Sequence, residues 1–156
     1  MRPGINRLLI MAAVLSPLFS SCARPSGDES YVLSERRGAD GAFLFPAAMD
    51  DSAYTYDVSF FVTMACRDDV FDDFMQTGAE VLWLSPSGRK YAENFVFGRD
   101  ALSSSKWDMK TLSVPYREGL VPVEYGEWGV QVFLDEEFID FYDVTGMGLR
   151  LQRKKQ

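Results

Sequence analysis

Apolar and polar side chains alternate along most of the chain that follows Tyr31. The clearest case covers Tyr54–Cys66, in which seven alternate positions are all apolar or aromatic and most positions between them are polar or small. Trp128–Leu134 and Met147–Leu151 repeat the pattern over shorter stretches. A period of two places one set of side chains on one face of an extended strand, so each segment predicts a half-buried β-strand.

Turn residues divide the remaining sequence into further short strands. The run Ser85–Gly88 separates Val81–Leu84 from Tyr91–Phe97 and predicts a hairpin, because its Pro and Gly are typical of reverse turns. Weaker patterns predict three more strands and one short helical turn, at Phe43–Ala47, Trp107–Val114, Tyr31–Ser34 and Val70–Gln76, respectively. Short strands with almost no helical periodicity predict an all-β fold, a single antiparallel β-sandwich of the jelly-roll or immunoglobulin-like type.

The first residues have the layout of a secretory signal. Two arginines accompany the apolar run Leu8–Leu15, which is too short to span a bilayer and is followed by Pro17. The ending Phe19-Ser20-Ser21-Cys22 resembles a bacterial lipobox, in which the cysteine is acylated and becomes the first residue of the mature protein. We therefore predict a signal peptide over residues 1–21, a flexible tether with lipidated Cys22 over residues 22–30, and a β-sandwich domain over residues 31–156. An uncleaved apolar helix that anchors the chain is the alternative.

Composition narrows the function further. The net charge is −7, and an acidic surface offers no electrostatic footprint for nucleic acid. The chain contains no histidine, which excludes a Ser-His-Asp hydrolase, a Cys-His protease and a His-ligated zinc site. If Cys22 carries lipid, Cys66 is left unpaired, and its place in a strand pattern predicts a buried, inert thiol.

Two acidic clusters are candidate metal-binding or catalytic sites, and each also has a purely structural explanation. The first cluster consists of four aspartates spaced so that they would face one another in pairs on a helical turn: Asp68, Asp69, Asp72 and Asp73. Paired carboxylates could ligate calcium, although the sequence lacks the calcium-loop pattern. The same spacing is typical of a solvated face whose apolar neighbours pack on the domain. The second cluster lies beside aromatic residues and would suit sugar hydrolysis, or it is a solvated loop that protects a sheet edge: Asp135, Glu136, Glu137, Asp140 and Asp143.

Aromatic residues supply the other candidate site. Trp83 and Trp128 lie in strand patterns and are predicted to fill the core. Trp107 follows a polar run and is predicted to lie at the surface. With Tyr116 and Tyr125 it could stack on sugar rings, so these three residues are the candidate glycan site.

Four segments carry a resemblance to a known family, namely Tyr56–Arg67, Leu82–Arg89, Gly126–Val132 and Val144–Leu151. With the lipobox they resemble the gliding-motility lipoprotein H family of Bacteroidetes lipoproteins, in which a Gly-aromatic strand and a closing Val-Gly-Leu-Arg-Ile-like strand frame the end of the domain. The resemblance covers residues 42–154 and departs at Leu134–Asp140, where members often have a Gln-x-Met-Arg-like stretch. The resemblance implies an accessory role in the cell envelope. It implies neither an enzymatic activity nor a direct part in motility.

These observations predict a lipid-anchored protein of the cell envelope, at the outer membrane, with its periplasmic or surface face left open. We expect a non-catalytic protein-interaction or scaffold module that needs no cofactor and binds no metal. The expected partners are the membrane, through the lipid on Cys22, and another envelope protein. A surface carbohydrate-binding module is the alternative, and a carboxylate-dependent hydrolase is the third reading.

Overall fold

The computed structural model describes residues 27–156, so the predicted signal peptide and Cys22 lie outside the described residues. Within this range the chain is nearly all β-structure. Neither of the α-helices found there has the length and hydrophobicity that a bilayer crossing requires. In chain order the elements are β1 (Gly27–Leu33), β2 (Phe43–Met49), β3 (Tyr54–Ala65), α1 (Asp68–Phe71), β4 (Gln76–Leu84), β5 (Lys90–Gly98), β6 (Leu102–Lys106), β7 (Met109–Leu120), β8 (Gly126–Leu134), α2 (Glu136–Phe141) and β9 (Val144–Lys155).

The strands form two antiparallel sheets, which confirms the predicted β-sandwich. The first sheet has the order β1-β9-β3-β7-β6 and the second has the order β2-β8-β4-β5. If the short edge strand β6 is set aside, each sheet has four strands and most connections cross from one sheet to the other. This is the strand order of a jelly roll, with the first and last strands paired.

The core lies between the two sheets and follows the alternation in the sequence. In β3 the predicted inward series from Tyr56 to Cys66 is buried, and Tyr54 at its start is half-buried. The inward residues of β8 and β9 meet it from their own alternating positions, as Val132 and Leu149 do. Phe61 lies on the outer face, where Tyr31 stacks on its ring and Arg150 lies 5.2 Å from its centroid.

The first strand corrects the predicted tether. β1 begins at Gly27, so the last four residues of the segment predicted as a tether belong to the folded domain. These residues have almost no apolar side chains, but strand pairing needs only backbone groups, and Gly27–Ser30 pair with Leu149–Gln152 of the long strand β9. An ion pair between Glu29 and Arg150, at 2.8 Å, supports the same register.

Other boundaries also differ from the prediction. The helical turn predicted at Val70–Gln76 overlaps α1 only at Val70 and Phe71, because α1 covers Asp68–Phe71 and Gln76 already starts β4. The strand predicted from Trp107 starts at Met109, because Trp107 forms the β6–β7 turn with a positive φ of 54°. The sequence pattern did not indicate β6 or α2.

The two ends of the sandwich are built from different segments. We call one end the N-terminal pole, since Gly27 pairs there with Gln152; it also contains the Val121–Tyr125 loop and the β4–β5 turn at Ser85–Arg89. We call the other end the distal pole; it contains α1, α2 and the β6–β7 turn. The candidate site lies near the N-terminal pole.

Candidate functional site

An apolar pocket of about 210 Å³ opens between the two sheets beside the N-terminal pole. Its floor comes from inward-facing residues of the second sheet, and its wall comes from the end of β7 and the loop that follows. Two charged side chains, Glu93 and Arg117, lie at its rim. The apolar and aromatic lining is Met49, Trp83, Tyr91, Tyr116, Leu120, Val121, Pro122, Val123 and Trp128.

Strand register brings the aromatic rings together. Trp83 of β4 lies directly opposite Tyr91 of β5, so both side chains point to the same face of the sheet. Trp128 of β8 meets Trp83 edge to face, with ring centroids 6.4 Å apart. Tyr116 comes from the facing sheet and stacks on Trp83 at 5.9 Å. The rings therefore link both sheets at the point where the core reaches solvent.

A polar network joins the floor of the pocket to its rim. The Trp83 indole donates a hydrogen bond to the Tyr116 hydroxyl at 3.3 Å, and that hydroxyl donates to the Glu93 carboxylate. Arg117 donates to the same carboxylate at 2.7 Å, and its guanidinium lies 4.9 Å from the centroid of the Tyr116 ring. Burial, together with the hydrogen bond to Glu93, raises the pKa of Tyr116 to about 12.

The loop that forms the pocket wall is fixed by Glu124. Its carboxylate accepts hydrogen bonds from the Ser85 hydroxyl at 3.0 Å and from the Ser87 hydroxyl at 2.7 Å. Hydrogen bonding from Ser87, followed by that from Ser85, holds the pKa of Glu124 below its usual value. The Glu124 carbonyl accepts a hydrogen bond from the Trp128 indole at 2.9 Å. The loop is thus tied both to the β4–β5 turn and to the floor of the pocket.

The structure does not bring the three predicted glycan-stacking residues together. Trp107 is 95% exposed at the distal pole, whereas Tyr125 lies on the loop of the N-terminal pole. Nine residue steps lead from Trp107 to Tyr116, and an extended strand covers roughly 30 Å over that many steps. The Tyr116 ring is packed against Trp83 and Arg117, so it lines the pocket instead of offering a free face.

The first acidic cluster is held by ion pairs. Asp69 pairs with Arg67 at 2.5 Å, and Asp72 pairs with Arg99 at 2.8 Å. Asp68 pairs with the buried ammonium of Lys110 at 2.7 Å, and Asp73 is exposed. The carboxylates turn to separate cations, and residues 27–156 contain no group of three or more side chains arranged to hold a metal ion.

The second acidic cluster belongs to a helix, which corrects the predicted loop. Asp135 caps α2 by accepting a hydrogen bond from the Glu137 backbone at 3.0 Å. Glu136 pairs with Arg37 at 2.5 Å, and the next residue but one, Phe138, is buried. Asp140 and Asp143 are exposed on the same segment. Asp135 therefore caps the start of a short helix, and the other carboxylates form its solvent-exposed side while its apolar side covers the core.

Cys66 is buried and unpaired among the described residues, as the strand pattern predicts. Burial raises the pKa of its thiol above the ordinary value, which keeps the thiol protonated and unreactive. Trp83 and Trp128 are also buried as predicted, but both of them border the pocket. Glu93 is a site residue that was not predicted, although its carboxylate at an inward position of the Tyr91–Phe97 alternation is a signal in the sequence.

Comparisons with known proteins leave the family open. No protein-family model matches the sequence, and no curated protein matches it significantly. A crystallised protein from Sulfurospirillum deleyianum is similar in structure with a TM-score of 0.37 and 8% identity, covering 85% of this chain and 99% of that protein. A structural similarity this weak assigns neither a family nor a function to the chain. The resemblance to gliding-motility lipoprotein H therefore stays a prediction.

Proposed function

We propose that the protein is a non-catalytic binding module, held at the cell envelope by lipid on Cys22, that receives one apolar side chain of a partner protein in the pocket. The pocket is the observation that carries this proposal. It joins two tryptophans and two tyrosines, and aromatic residues are enriched where protein partners bind most tightly. The lipid anchor rests on the lipobox-like sequence that ends at Cys22.

The size of the pocket favours a side chain over a larger ligand. Pockets for drug-sized ligands enclose about 300–1,000 Å³, while a cavity of about 150 Å³ already holds a benzene ring. A volume of about 210 Å³ therefore suits one aromatic or branched aliphatic side chain. The charged rim would pair with polar groups that flank this side chain, as the polar edge of a protein interface does.

The polar groups at the pocket favour binding over catalysis. The Tyr116 hydroxyl, with its pKa near 12, stays protonated at neutral pH and donates to Glu93. Glu93 is also held by Arg117. Because these groups satisfy one another, they supply a fixed surface for a ligand and no free base for proton transfer.

Site-specific photocrosslinking in cells tests the proposal. Benzoylphenylalanine is placed at Tyr91, which lines the pocket, or at Val96, which is exposed on the same strand outside it. We expect a discrete adduct from position 91 only. The captured partner is then purified and titrated against the full-length protein and its Tyr91→Ala and Val96→Ala variants.

Tyr91→Ala is expected to weaken binding by roughly 30-fold, the effect of losing about 2 kcal/mol at an interface hot spot. Val96→Ala should bind like the wild type. Equal adducts from both positions, or unchanged affinity of Tyr91→Ala, would remove the pocket as the partner site. If the purified protein hydrolyses an ester, peptide or glycoside and Glu93→Gln abolishes this activity, the protein is an enzyme and the proposal of a non-catalytic binding module is wrong.

Carbohydrate binding is the second candidate, and one observation favours it. Trp107 is almost fully exposed at the tip of the β6–β7 hairpin, in a backbone conformation that Asn or Gly adopts more easily than Trp. A large aromatic ring kept at such a position suits stacking on a sugar. A glycan array that shows binding by the wild type and none by Trp107→Ala would support this function, and an array without hits would exclude it.

A further inference from the structure

We infer that the N-terminal pole rests on the bilayer, with the Val121–Tyr125 loop in contact with lipid and the distal pole pointing away. The inference deepens the proposed function and rests on its lipid anchor at Cys22. Three independent features of the described chain support it. They are the place where the chain enters the domain, the exposed apolar residues there, and the unequal charge of the two poles.

The length of chain before β1 limits the distance between domain and membrane. Only five residue steps separate Cys22 from Gly27, and even when fully extended they span about 17 Å. β3 alone has 12 residues, which extend roughly 40 Å along the sandwich. An anchor on Cys22 therefore holds the N-terminal pole close to the bilayer and leaves the distal pole beyond the reach of this short segment.

The loop at this pole presents apolar groups to its surroundings. Val121 is 51% exposed and Val123 is 74% exposed, and Tyr125 beside them is 44% exposed. Tyrosine is enriched at membrane interfaces because its ring is apolar and its hydroxyl is polar. Glu124 ties the loop to the Ser85–Arg89 turn, so these groups are held in place before any contact forms.

Charge is distributed unequally between the poles. At the distal pole, segments 34–42, 67–75, 99–110 and 135–143 together carry thirteen carboxylates and six cationic side chains. At the N-terminal pole, segments 27–30, 50–57, 85–90, 117–127 and 153–156 carry eight carboxylates and six cationic side chains, and Lys154 pairs with Asp57. Anionic headgroups therefore repel the distal pole more strongly than the N-terminal pole, which favours an upright domain.

This orientation constrains the partner as well. Val121 and Val123 form both the lipid-facing loop and one wall of the pocket. The pocket consequently opens near the level of the headgroups. A partner that fills it must present its apolar side chain beside the membrane, so we infer that the partner is itself associated with the same bilayer.

Depth-dependent quenching tests the orientation in the mature, full-length protein. The acylated protein is reconstituted in vesicles of phosphatidylethanolamine and phosphatidylglycerol after an environment-sensitive dye is attached to Val123→Cys, Val96→Cys or Trp107→Cys. The parent chain, which has buried Cys66, reports background labelling. Since all three positions are exposed, equal thermal unfolding of the variants confirms that they fold alike.

We expect brominated lipids to quench the dye at position 123 several-fold more than the dyes at positions 96 and 107, and aqueous iodide to show the reverse order. Acylated Cys22, found by mass spectrometry, together with equal iodide access at all three positions would overturn the orientation and leave the anchor standing. A mature chain without acyl groups on Cys22 would overturn both. Neither result touches the pocket, which the crosslinking experiment tests separately.

Discussion

Replacing Tyr116 by Phe should lower stability at neutral pH and remove part of the loss of stability that the wild type shows at alkaline pH. The hydroxyl accepts a hydrogen bond from the Trp83 indole and donates one to Glu93. Removing it leaves the indole unpaired beside the pocket, while Glu93 keeps its contact with Arg117. A hydrogen bond to a charged group is worth about 1.5–3 kcal/mol, and solvent in the pocket compensates part of this, so we expect Tyr116→Phe to cost about 1–2 kcal/mol at pH 8.

The pH dependence follows from the pKa of the same hydroxyl, which the fold raises from its ordinary value of 10.0 to about 12. Above pH 10 the unfolded chain releases this proton while the folded chain keeps it, so stability falls as pH rises from about 10 to about 12. The full shift corresponds to about 3 kcal/mol, because one pKa unit equals about 1.4 kcal/mol. Partial access of solvent reduces the expected loss to about 1–2 kcal/mol.

Urea unfolding of both proteins at intervals between pH 8 and 12, followed by tryptophan fluorescence, measures the effect. The difference in unfolding free energy between wild type and Tyr116→Phe should be constant up to about pH 10 and then shrink towards zero near pH 12. Other tyrosines and lysines titrate in both proteins and cancel in the difference. A difference that stays constant to pH 12 would refute the assigned role of the hydroxyl.

Two further predictions concern stability outside the pocket. Gly148→Ala places a Cβ 2.0 Å from the Phe61 ring, so we expect a loss of about 1–3 kcal/mol in urea unfolding, whereas Gly78→Ala, with open space around it, should change stability by less than about 0.5 kcal/mol. Asp68→Asn leaves the buried ammonium of Lys110 without its counter-ion and should cost about 1–2 kcal/mol. Adding Lys110→Met to Asp68→Asn should restore most of that loss, and no recovery would show that the ion pair is not the cause.

The fold could be predicted where alternation was long and one face was buried. The series from Tyr54 to Cys66 succeeded because every second side chain enters the core, and a shift by one residue would have exposed all of them. β6 carried no such signal. All five of its residues, Leu102–Lys106, are exposed, and pairing with β7 alone makes them a strand.

Prediction from the sequence failed at short elements for a different reason. Asp135 is an ordinary helix cap, but α2 has only six residues, and its buried pair Phe138 and Ile139 is adjacent, which shows no helical period. β1 failed because Gly27–Ser30 contribute backbone groups to the sheet and few apolar side chains to the core. In both cases the neighbouring structure determines the conformation, and a local pattern cannot represent it.

The pocket was only partly predictable. Alternation placed Trp83 and Trp128 on inward faces, but it could not show that the core ends there or that the Val121–Tyr125 loop forms a wall. Those facts depend on how two sheets and a loop meet. Glu93 was the readable exception, because a carboxylate on an inward face must find partners or reach water, and it does both.

The types of aromatic residue mark where the core opens. In the middle of the sandwich the buried rings are phenylalanines such as Phe60 and Phe97, which need no hydrogen-bond partner. Beside the N-terminal pole the inward rings are Trp83, Trp128 and Tyr116, whose polar atoms must be satisfied when they are buried. The chain satisfies them with one another and with groups at the rim, which fixes the rings while one side of the pocket stays open. A fixed and open aromatic surface loses little conformational entropy when a ligand binds, and this is the physical reason to look for the partner here.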